Sequence, residues 1–166
     1  MAQQSASQTP FITLLSHSLM VFVMAFNAIS LANETNTKTE INMSPQLPPC
    51  PNSPNCVSST DTDASHTIAA LNFEGSTPEK AMQSLQQVLL SITEKVQVSE
   101  DGLTVHAEFK SAVFGFIDDV DVVLNAGQQR IEIRSASRTG HSDFGVNRRR
   151  VESIRQAFNQ ALMQGR

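Results

Sequence analysis

The stretch from Ser135 to Arg150, SASRTGHSDFGVNRRR, holds the residue types best suited to chemistry. Arg148, Arg149 and Arg150 fall in the first turn of an expected helix, where the macrodipole disfavours each cation by about 0.3–1 kcal/mol. A chain that keeps such a conflict implies a compensating negative group. With the core direction set midway between Val151 and Ile154, Arg148 and Arg150 flank the apolar stripe and Arg149 points to solvent. The carboxylates in reach are Asp118, Asp119, Asp121 and Asp143.

Four kinds of chemistry fit this pattern. The first is a purely structural ion-pair network between those four acids and the arginines, the usual home of such clusters. The second is a site for a small anion or an envelope partner, built on the helix N-terminus and the side chains of Arg134, Arg138, Ser142, Asn147, Arg148, Arg149 and Arg150. The third is a hydrolase-like enzyme using Asp118, Asp119 and Asp143 with His141 as acid and base. The fourth, Ca²⁺ on the same carboxylates, is opposed by the arginines, which repel the ion. No catalytic residue, metal or cofactor is therefore assigned.

Other reactive side chains read as structural. His66 and His106 fall on expected strands with no second ligand in view. Ser135, Ser137 and Ser142 lack a nucleophile–base spacing and suit turns and hydrogen bonds. Cys50 and Cys56 lie six residues apart across two prolines, which favours a disulfide in an oxidising compartment. A redox pair or two metal ligands are the alternatives, although a redox pair more often has CxxC spacing.

The elements that must position these groups follow from periodicity. A short strand is expected at His66–Phe73. Thr77 caps and Pro78 opens a helix that presents Ala81, Leu85, Val88, Leu89 and Ile92 on one face. Val96–Val98 and the alternating run Leu103–Lys110 read as strands, with Leu103, Val105, Ala107 and Phe109 on one side and Thr104, His106, Glu108 and Lys110 on the other. Phe114-Gly115-Phe116 suggests a bulge or tight bend.

A strand from Ile117 to Leu124 then turns at Asn125-Ala126-Gly127 and returns from Arg130 to Ser137. Like-charge repulsion disfavours Asp121 opposite Glu132, so the expected register sets Asp121 opposite Arg134. The last helix, Asn147 to about Gln164, buries Val151, Ile154, Phe158 and Leu162. The expected fold is α+β: a two-layer sandwich with a mostly antiparallel sheet of four to five strands covered by two helices.

The chain of 166 residues, with a formal charge of −4, is one domain plus flanking segments. Hydrophobic content of 40% and charged content of 17% exclude wholesale disorder and a polytopic membrane protein. Charge is split along the chain: residues 33–129 hold 13 acids and 4 bases, residues 130–166 hold 3 acids and 8 bases. The two parts should attract each other within one fold. The lack of Trp and Tyr and the pI near 5.5 argue against nucleic acid as a partner.

Residues 1–32 carry no charged side chain, and the apolar run 11–31 ends in Ser30-Leu31-Ala32, the layout of an export signal cleaved after Ala32. The first ten residues lack Lys and Arg, and a run of this length can also span a bilayer, so membrane attachment through residues 11–31 is the rival reading. Residues 33–47 read as a polar linker and 48–166 as the domain. Either reading of the first segment puts the domain outside the cytoplasm, in a periplasm, a secreted space or an equivalent plastid lumen.

The strings CPNSPNCVSS (50–59), SAVFGFIDDVDVVL (111–124) and RSASRTGHSDFGVNRRRVESIR (134–155) resemble the uncharacterised domain-of-unknown-function family 1499, over about residues 48–160. The resemblance implies an exported or membrane-associated domain of bacterial or plastid-related type with no established activity. It also implies a pairing of Cys50 with Cys56, a paired acidic element at Asp118 and Asp119, and a basic segment at Arg134, Arg138, Asn147, Arg148 and Arg150. Where members of that family carry Tyr after the SRxG string, this chain has His141, which weakens an acid–base role for that position.

Overall fold

The structure is a computed structural model that describes residues 45–111 and 115–165. The expected signal or anchor, the linker up to residue 44 and the Phe114 part of the expected bulge lie outside the described residues. Six strands form one antiparallel sheet: β1 (Cys56–Ser58), β2 (Leu71–Asn72), β3 (Val96–Val98), β4 (Thr104–Lys110), β5 (Ile117–Asn125) and β6 (Arg130–Ser137). Their spatial order is β1-β6-β5-β4-β3, with β2 also paired to β6. Two helices, α1 (Pro78–Ile92) and α2 (Val146–Gln164), pack on one face. This is the expected α+β sandwich.

The core follows from alternation. Val105 and Ala107 of β4, Val120 and Val122 of β5, and Ile131 and Ile133 of β6 are all buried against Leu85 and Leu89 of α1 and Val151, Ile154 and Phe158 of α2. Asp121 pairs with Arg134 across β5–β6, the register expected from charge. Thr77 caps α1 by accepting from the Lys80 N–H, and Pro78 occupies the first turn.

Four expectations are corrected. The strand expected over His66–Phe73 is reduced to β2, plus an isolated parallel bridge between Ser58 and Thr67. Carbonyls of residues 65–70 instead serve arginines of α2: Arg148 donates to Thr67 O and Ser65 O, and Arg155 to Ala69 O and Ala70 O. Ile92 is 51% exposed, because the packed surface of α1 ends at Leu89. β1 was not expected; it starts at the second cysteine and is too short to show alternation. Leu47, which composition placed in the linker, is buried.

Candidate functional site: a braced loop and a charged sheet face

Adjacent residues of a strand project to opposite faces, and β5 uses this to separate its acids. Asp118 points to the helix side; Asp119 and Asp121 point to the face that the helices leave uncovered. The four acids nominated from sequence therefore do not form one cluster.

On the helix side, Asn147 is fully buried and uses its whole amide. Its Oδ1 accepts from Ser135 Oγ and from Arg150 Nη1, each at 2.6 Å. Its Nδ2 donates to Asn55 O at 2.9 Å and to Ser137 Oγ at 3.0 Å. Arg150 also pairs with the buried Asp118, and its guanidinium lies 4.9 Å over the Phe109 ring. Every side chain of this network has a partner within it, and together they fix α2 to β5 and β6.

The cystine loop joins the same network. Cys50 and Cys56 are disulfide-bonded with Cα atoms 5.7 Å apart. Just before the second cysteine, the buried Asn55 donates through Nδ2 to Gly140 O at 2.7 Å and accepts the Ser137 N–H on its backbone oxygen. The two prolines and the disulfide thus hold Asn55 as a brace for the segment after β6. Sequence reasoning missed Asn55, whose only signal was its place inside the short cystine loop.

That segment, residues 138–145, is built around Asp143. Its carboxylate accepts from the Gly145 N–H at 2.9 Å and the Asn147 N–H at 2.7 Å. Two negative groups therefore answer the arginine-rich helix start: Asp118 as the ion-pair partner of Arg150, and Asp143 as a cap on the backbone N–H groups. Beside it stands Phe144, 88% exposed and with a positive φ of 52°. Its N–H donates to Ser142 Oγ, and its carbonyl accepts from Arg149 Nη1 at 2.9 Å. His141 and Ser142 are exposed on the same loop.

On the uncovered face, β4 and β5 set four polar side chains in a square: His106 opposite Asp121 and Glu108 opposite Asp119. His106 Nδ1 lies 2.7 Å from Asp121 Oδ1, and its Nε2 lies 3.5 Å from Asp119 Oδ1. Arg138 donates to both Asp119 and Glu108, and Lys95 adds a 2.8 Å ion pair to Glu108. Hydrogen bonds from Lys95, then Arg138, pull the Glu108 carboxyl down to about 2. Bonds to Asp119 and Glu108 raise the Arg138 guanidinium. Arg134 reaches Asp121 Oδ2 at 3.5 Å, and its buried Nε has no hydrogen-bond partner among the described residues.

This square corrects the reading of His106 as lacking a second ligand. A strand inside a sheet has two neighbours, and Asp121 meets Arg134 on one side and His106 on the other. The acid–base set of Asp118, Asp119, Asp143 and His141 is not brought together: Asp118 and Asp119 face opposite sides, and Asp143 holds backbone N–H groups. A groove of about 870 Å³, lined in part by Leu47, Leu103, Val123 and Arg130, contains none of the nominated residues.

A family model described as a protein of unknown function (DUF1499) matches residues 46–158. No curated protein and no solved structure matches the chain.

Proposed function

Since the chain belongs to the DUF1499 family, whose description names no reaction, we propose from the site alone that it is a non-catalytic, exported binding module. It contacts a protein partner of the cell envelope through residues 138–150. Phe144 carries this reading. A bulky residue in the left-handed region costs on the order of 1–3 kcal/mol, and such strain clusters at active sites, ligand clamps and switch regions. Phe144 adds to that cost an aromatic ring left 88% in water, on a loop fixed by Asn55, Asp143 and Arg149. A rigid, exposed aromatic beside arginines has the make-up of an interface anchor.

A protein partner is favoured over a small anion by the state of the donors. Asp143 takes the first N–H groups of α2, while Arg138, Arg148, Arg149 and Arg150 donate to groups of their own chain. Export is supported by the disulfide together with the uncharged, apolar character of residues 1–32.

Photo-crosslinking in the native compartment tests the reading. A benzophenone amino acid at position 144 should give one discrete adduct, and the same group at the exposed Val98 should not. Equal labelling from both positions, or none from 144, would refute the proposal.

A further inference from the structure

We propose that the uncovered sheet face holds a divalent-cation site of the zinc type, with His106 Nε2, Glu108 and Asp119 as ligands and Arg138 as the internal cation that the metal displaces. It is independent of the partner contact at Phe144. One ligand atom from each of these residues lies within 4.8 Å of the others. Tetrahedral zinc with bonds of about 2.0–2.1 Å sets neighbouring ligand atoms roughly 3.4 Å apart. The 3.5 Å between His106 Nε2 and Asp119 Oδ1 already has that span.

The surroundings supply what a metal-bound imidazole needs. Asp121 Oδ1, 2.7 Å from Nδ1, is placed to accept a hydrogen bond from that nitrogen, and Nε2, 3.5 Å from Asp119 Oδ1, is the ring nitrogen left to bind the metal. Glu108 and Asp119 stand directly opposite across the ladder, an arrangement of like charges that requires a cation between them. Arg138 now fills that role from a segment beyond the end of β6, with 41% of its side chain exposed. Its guanidinium can swing into water, and the strand-borne ligands stay in place. Three protein ligands leave a fourth position for water or a donor from a bound molecule.

Zinc titration of the full chain against a chromophoric chelator, with native mass spectrometry for stoichiometry, tests the site. One Zn²⁺ per chain is expected. Glu108→Gln and His106→Ala should each weaken uptake at least about tenfold, as should Asp121→Asn through loss of its hold on Nδ1. Arg138→Gln should strengthen uptake several-fold by removing the cation that bridges both carboxylates, Lys95 remaining on Glu108 alone. If neither the parent nor Arg138→Gln binds zinc, or if uptake survives His106→Ala, the proposal fails. Should His106→Ala not fold, nitrogen NMR of the parent decides: zinc must shift Nε2 of His106 while Nδ1 keeps its proton, and an unmoved Nε2 overturns the site.

Discussion

Asn147 shows how much one side chain can hold together. Its amide joins α2 to β6 and to the backbone of Asn55 and shares Arg150 with Asp118. Asn147→Ala should lower the unfolding free energy by about 2–3 kcal/mol, because several buried partners lose their bonds at once. Urea denaturation checks this, and a loss under 1 kcal/mol would count against the network. Glu108 belongs to the same scale and gives a pH prediction. Its folded pKa of about 2 lies below the ordinary 4.5, so its contribution is complete above pH 4.5 and is lost as pH falls towards 2. Glu108→Gln should lower stability at neutral pH and flatten the acid limb of the profile across that window, leaving the acid end near pH 2 least affected. An unchanged acid limb would contradict the bonding seen here. Glu108 could have been read from the sequence, since the β4 alternation already set it beside His106. The lateral partner was missed because only one neighbour of β5 was considered.

At the scale of elements, legibility followed length and periodicity. α1, α2, β4, β5 and β6 each carry enough residues for a period to show, and the charge argument fixed the β5–β6 register. β1 and β2 have three and two residues, too few for alternation, and owe their existence to the long edge of β6. The cystine loop was legible as a disulfide, yet its role as a brace depends on Asn55 meeting Gly140, a contact between residues 85 apart in sequence. Reduction should therefore have two effects. The loop constraint lost is worth about 2 kcal/mol on the chain-entropy model. Amide exchange should also rise in residues 137–140 before it rises in α1. Exchange that increases uniformly would show that the loop braces nothing.

For the whole molecule, the split of charge along the sequence is resolved by pairing between its two parts. Arg134, Arg138 and Arg150 from the basic part meet Asp121, Glu108, Asp119 and Asp118 from the acidic part. Arg148 and Arg155 add bonds to carbonyls of residues 65–70. Exposure separates these contacts. Raising salt from about 0.1 M to 1 M shortens the screening length from about 10 Å to 3 Å. The destabilisation by Arg138→Gln should shrink across that range, whereas that by Arg150→Gln should persist, since the Arg150 and Asp118 side chains are only 14% and 8% exposed. Identical salt responses would contradict the distinction. The proposed contact residue was the least legible feature, because a strained Phe144 has no signature in composition or period: its φ emerges only when Asp143 caps α2 and Arg149 closes on the carbonyl.

One measurement bears most directly on the partner contact: Phe144→Gly, assayed in parallel for folding stability and for capture of the partner identified by crosslinking at 144. Relief of left-handed strain and the added freedom of glycine nearly offset, so stability should stay within about 1 kcal/mol of the parent. Capture should fall at least tenfold. Undiminished capture, or a loss of capture matched by a loss of folding, would contradict a contact built on this side chain.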